Sequence, residues 1–125
     1  MTIRRIKSGG IYEDKVGYCR AVVAGGFVHV AGTTAQGDDI PRDVIGQCKS
    51  ALDAIKAALE EAGSGLDQVV RVTYMLENRK EFERLWPLLS ETFGANPPAV
   101  TMIECNLVHR RYRIEIEVTA LAPNA

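Results

Sequence analysis

Two carboxylates, Glu115 and Glu117, alternate with Ile114, Ile116 and Val118 near the end of the chain. An extended strand sends successive side chains to opposite faces, so this pattern puts the acids on one face and an apolar row on the other. One face is core, and the acidic face meets water or a ligand. Tyr18 and Arg20 stand two residues apart, which places a phenol and a guanidinium on the same face if that segment is extended. Thr33 and Thr34 follow Gly32, where backbone amides or hydroxyls suit either a small anion or the cap of a loop. His109, Arg110 and Arg111, with Arg113 nearby, form a basic cluster that is either a solvated loop or a contact for an anionic ligand. His29 alternates with Val28 and Val30, which puts it on a polar sheet face or a subunit contact, and its spacing implies no serine or cysteine partner for a triad.

The elements that must position these residues follow from periodicity. Ala21–Ala24, Gly25-Gly26 and Phe27–Ala31 read as two strands joined by a two-residue glycine turn, with a polar loop from Gly32 to Asp39. From about Pro41 to Ala62, apolar residues at Ile45, Cys48, Leu52, Ile55, Leu59 and Ala62 fall at steps of three and four, the mark of an amphipathic helix that Gly63 stops. Val69–Leu76 is a strand, and Phe82, Leu85, Trp86, Leu89 and Phe93 carry a second helix in which Pro87 predicts a late start or a bend. Two strands close the chain, one after Pro97-Pro98 and one from Ile114. This order predicts an α+β fold, a single sheet with two helices packed on one face, and leaves Arg71, Thr73, Glu115 and Glu117 on the uncovered side.

With 125 residues the chain fits one domain, 1–125, and its formal charge of -1 provides no broad basic field for nucleic acid. No stretch approaches a membrane span, and no apolar run follows Arg4-Arg5 to serve as a signal-peptide core, so a cytoplasmic location is expected. Cys19, Cys48 and Cys105 are widely spaced without a CxxC, which favours free thiols over a disulfide framework or a metal site.

Across nearly its whole length the sequence resembles the YjgF/Rid family of reactive intermediate deaminases. The resemblance is carried by Gly17-Tyr18, Val28-His29-Val30-Ala31-Gly32-Thr33-Thr34, the helix from Gln47 to Gly63, Val70–Leu76, Pro98-Ala99 and Ile114-Glu115-Ile116-Glu117. It implies a chorismate-mutase-like (YjgF-like) domain in a homotrimer, with the sheets forming a central barrel and ligand clefts between subunits. It also implies hydrolysis of short-lived enamines and imines to 2-keto acids and ammonia, with no cofactor and no metal.

In that family pattern Glu115 is the acid that helps hold the attacking water, and Tyr18 is the aromatic residue lining the cleft. Val100 stands where the deaminases carry a carboxylate-anchoring arginine, and Met102 where many members place a cysteine beside the ligand. The expected ligand-binding set is therefore Tyr18, Arg20, Thr33, Thr34, Val100 and Met102 around Glu115. Arg20 and the Arg110-Arg111 loop are the candidate sources of the missing cation, against the alternatives of an exposed arginine on a sheet edge and a solvated loop. The resemblance points to a deaminase or hydrolase acting on an enamine, imine or related metabolite other than the standard 2-iminopropanoate; the alternative is a non-catalytic, metabolite-binding or regulatory trimer.

Overall fold

A computed structural model describes residues 2–123. Six strands form one sheet: β1 (Arg4–Ile6), β2 (Ala21–Ala24), β3 (Phe27–Thr33), β4 (Val69–Leu76), β5 (Ala99–Glu104) and β6 (Ile114–Leu121), in the spatial order β1-β2-β3-β6-β4-β5. All neighbours pair antiparallel except β4 and β5, which run parallel because a helix connects them. Three helices complete the fold: α1 (Ile11–Val16), α2 (Val44–Glu61) and α3 (Phe82–Phe93). The two longer ones cover the same face of the sheet, α2 against β3 and β6 and α3 beside α2.

The hairpin of β2 and β3 turns on Gly25 and Gly26, at φ values of 60° and 84°. Positive φ at both central residues gives the turn that matches strand twist, and only glycine adopts it freely. Asp43 starts α2 by accepting the amides of Ile45 and Gly46 at 2.7 and 3.0 Å. One face of α2 then buries Val44, Cys48, Ala51, Leu52, Ile55, Ala58 and Leu59 against Val28, Val30, Ile116 and Val118 of the sheet. Burying each branched side chain contributes about 1.5–3 kcal/mol, so this layer dominates the stability of the fold.

Four features depart from the sequence expectation. α1 and β1 were not anticipated, because six and three residues are too short to show a period. β3 runs through Gly32 and Thr33, so the polar loop begins two residues later than predicted. Its register against β6 jumps between Val30 and Thr33, a bulge that re-aims the strand end. α3 does not start late: it begins at Phe82 and runs through Pro87, which lies on its solvent side, and a 3-10 turn at Arg79–Glu81 precedes it.

The uncovered face has the composition expected. Register pairs Thr73 with Glu117 and Met75 with Glu115, while their neighbours Val72, Tyr74, Ile114 and Ile116 point into the core. His29 is exposed on this same open face, with Arg71, Thr73, Glu117 and Thr119 around it.

Candidate functional site

The bulged end of β3, the adjoining part of β6, α1 and the loop before β6 enclose a cleft of about 740 Å³. That volume suits a small metabolite. Glu115 and Gly32 form part of its wall, and a Cβ on Gly32 would collide with the Glu115 carboxylate. The absent side chain is what lets the acid lie across the strand end. Burial raises the pKa of Glu115 above the ordinary carboxylate range, the nearby charge of Glu117 adds to the rise, and Arg20 opposes both. Such an acid is suited to taking up and returning a proton nearer neutrality.

Arg20 turns into this cleft. Its backbone is pinned on both sides, its amide donating to the Ile6 carbonyl at 2.8 Å and its carbonyl accepting the Ala31 amide at 2.9 Å. Its Nη1 donates to the Gly32 carbonyl at 3.1 Å and the Thr33 hydroxyl at 2.9 Å, and its guanidinium carbon lies 5.7 Å from the centre of the Tyr18 ring. Arg20 and Tyr18 therefore share a surface as expected, although their segment is not a regular strand. Thr33 is fully buried, and its hydroxyl donates to the Ala31 carbonyl at 2.7 Å while accepting from Arg20. It does not line the cleft; it positions Arg20. Thr34 does line the cleft, and its carbonyl accepts Nε2 of Gln36 at 2.7 Å.

The opposite wall comes from the basic loop, whose members part company. Arg113 leaves the cleft to bind Glu81 through two bonds at 3.1 and 2.9 Å, while Arg110 is exposed. Arg111 stays, its Nη2 donating to the Tyr112 hydroxyl at 2.7 Å and its guanidinium lying 4.8 Å from the Tyr112 ring centre. Gln47, fully buried on α2, fixes this loop by donating Nε2 to the carbonyls of Pro41 and Arg111 and accepting the Arg113 amide.

Glu13 fixes the third wall. It is 3% exposed and accepts the Ser8 hydroxyl at 2.6 Å, the Ser8 amide and the Gly10 amide, which holds α1 so that Tyr12 and Val16 face the cleft. Burial pushes its pKa up, but those hydrogen bonds outweigh burial and the net shift is downward.

Val100 and Met102 lie elsewhere. They pair with Val72 and Tyr74, so they face the helix layer, on the other side of the sheet from Glu115. Val100 lines a separate apolar groove with Trp86, Phe93, Pro97 and Pro98. Within one chain these two residues do not join the Glu115 cleft. Tyr12, Gln36 and Gln47 also belong to the cleft or its supports and carry no motif of their own; Gly32 signals a close approach only once the structure puts it inside β3 rather than in the loop. Among the described residues the three thiols are free, and burial pushes that of Cys48 up to about 12, which makes it a poor nucleophile.

A family model described as endoribonuclease L-PSP matches residues 12–122. The crystal structure of a Mycobacterium tuberculosis member of the YjgF/YER057c/UK114 family superposes with a TM-score of 0.89 at 33% identity, covering 96% of this chain and 99% of that one. This chain belongs to the YjgF/Rid family. A RutC family protein of Pyrococcus abyssi is 35% identical over 107 residues, 82% of this chain and 84% of its own length. Another from Synechocystis is 28% identical over 130 residues, covering 98% and 99% of the two chains. These relatives match the chain over most of their own length. No helix among the described residues is long and apolar enough to cross a membrane.

Proposed function

We propose that this Rid chain hydrolyses a small imine or enamine in the Glu115 cleft and that the clefts are completed by neighbouring subunits of a homotrimer. The observation that carries the reading is the placement of Glu115: a half-buried acid of raised pKa, laid across Gly32 and sharing its cleft with Arg20. Arg20 takes the substrate carboxylate through a charge-assisted pair, since its Nη1 already fixes the guanidinium plane. Glu115 holds water and takes one of its protons as the water oxygen adds to the C=N carbon. The proton passes to nitrogen, the C–N bond of the carbinolamine breaks, and ammonia leaves behind a 2-keto acid. Positioning supplies much of the acceleration, because the imine carbon is already electrophilic.

Two exposed surfaces support the trimer. The open sheet face carries mixed polar groups with no layer over it, and the groove beside Val100 exposes Trp86 and Val100 at 55% and 46%. A cytoplasmic location fits the free thiols. A coupled assay that generates 2-aminoacrylate, and longer imines, beside the protein tests the reading. Glu115→Gln should lose about 100-fold or more in ammonia release; a variant as active as the wild type would remove Glu115 from the chemistry.

The second reading, a non-catalytic metabolite-binding or regulatory trimer, is favoured by Val100, which brings no charge to its groove. It predicts ligand binding without turnover of any imine, with Val100→Arg introducing hydrolysis of 2-iminopropanoate. The description "endoribonuclease" belongs to the family model; a cleft of metabolite size in a chain of net charge -1 favours a small substrate here.

A further inference from the structure

Beyond the choice of reaction, the cleft carries a charge pattern that selects among substrates. Arg20 and Arg111 stand on separate walls, one beside the β3 bulge and one on the loop before β6. Each guanidinium lies against its own tyrosine, Tyr18 for the first and Tyr112 for the second. Neither is in a salt bridge among the described residues, where Lys7, Arg84 and Arg113 hold the ion pairs.

Among the described residues Glu115 is the one carboxylate lining the cleft. Glu13 reaches Arg20 only through space, its oxygens being committed to Ser8 and Gly10. Asp38 offers Arg111 its backbone carbonyl, at a long 3.5 Å. A chain of net charge -1 thus concentrates two guanidiniums outside any salt bridge around one carboxylate.

Arg111 is also held where it is. Gln47 ties down its carbonyl at 2.8 Å, its amide donates to Nδ1 of His109 at 3.1 Å, and Nη2 is fixed on the Tyr112 hydroxyl. Arg111 is exposed at the mouth of the cleft, with its backbone tied down on both sides. The fixed backbone and the Tyr112 hydroxyl narrow the positions open to the guanidinium, which lowers the ordering cost when an anion arrives.

We propose that the cleft is built for a small dianion, two acidic groups on one short carbon skeleton, with Arg20 taking the group next to the reacting carbon and Arg111 taking the distal one. The substrate class is then the imine of a 2-keto dicarboxylic acid rather than that of a monocarboxylic one. This rests on the reading of the cleft as the substrate site.

Calorimetric titration with two stable product analogues of equal length, 2-oxoglutarate and 2-oxopentanoate, tests the proposal. The dianion should bind about tenfold or more tightly than the monoanion, the range of a hydrogen bond to a charged group. Arg111→Met should bring 2-oxoglutarate down to the affinity of 2-oxopentanoate, and Arg111→Lys should keep part of the preference; Arg20→Met should weaken both ligands. Equal affinities in the wild type, or equal loss of both ligands in Arg111→Met, would overturn it. Hydrolysis of a monocarboxylic imine without any dianion preference removes this inference and leaves the hydrolase reading standing. A dianion preference with no hydrolysis of either imine does the reverse.

Discussion

Replacing Gly32 with alanine separates the fold from the site. Gly32 has no unusual φ, so alanine fits its backbone; what forbids a Cβ is the carboxylate of Glu115, whose Oε2 occupies that space and whose Cδ would stand at 3.0 Å. No backbone atom or core side chain crowds the position. The new methyl is therefore relieved by rotating the far end of one side chain, at about 0.5–1.5 kcal/mol if Glu115 is pushed off a rotamer. Thermal unfolding should shift by only a few degrees. The carboxylate, displaced by about an ångström, loses its alignment with the substrate, and a misplacement of that size costs about 100-fold in rate.

The displacement also has a sign in pH. Burial raises the pKa of Glu115, so its basic form is lost as pH falls through that raised value. Pushed off the strand end into water, the carboxylate should titrate closer to its ordinary value, moving the acid limb of activity to lower pH. Carboxyl-resonance titration by NMR reads the same shift whether or not the substrate is known. An alanine variant with unchanged activity and an unmoved Glu115 pKa would show that the acid does not depend on this gap. A loss of several kcal/mol would show that the contact belongs to the core.

Gln47→Leu leaves the Pro41 and Arg111 carbonyls and the Arg113 amide without their partner, a loss of about 3 kcal/mol by chemical denaturation; a neutral result would mean that water replaces the side chain. Glu13→Gln should cost about 1–3 kcal/mol at neutral pH because the charged acceptor of Ser8 and Gly10 is gone. Since the folded-state pKa of Glu13 is lowered, its contribution is present above the unfolded carboxylate pKa and is lost as pH falls through the folded one. The variant and wild type should therefore converge in stability in acid, and parallel curves would contradict the linkage. Asp43→Ala should lower the melting temperature through loss of the α2 cap, with little effect on the cleft, and an unchanged unfolding curve would mean that water caps the helix equally well.

What the sequence conveyed about the fold was whatever repeats along the chain. α2, β4 and β6 show their periods over six residues or more, and they appear close to where the pattern put them. α1 has no period to show, because its start depends on Glu13 folding back onto Ser8 and Gly10. The site was legible where a side chain acts from a strand face, as Glu115 does. Alternation could not distinguish Thr33 from Thr34, since the bulge before them decides which side chain is buried. Nor could composition tell that Arg113 would pair with Glu81 while Arg111 stayed in the cleft.

Register carries the last step. Val100 and Glu115 look adjacent in function when only the family pattern is considered, yet β5 and β6 are separated by β4, and the two residues face opposite sides of the sheet. No rotamer change carries either side chain through a hydrogen-bonded sheet. If both act on one ligand, they belong to different copies of the chain, each contributing the half the other lacks. The apolar groove around Trp86 and the polar cleft around Glu115 then become two halves of one site, and the charge that Val100 does not bring must come from the cleft that already holds Arg20 and Arg111.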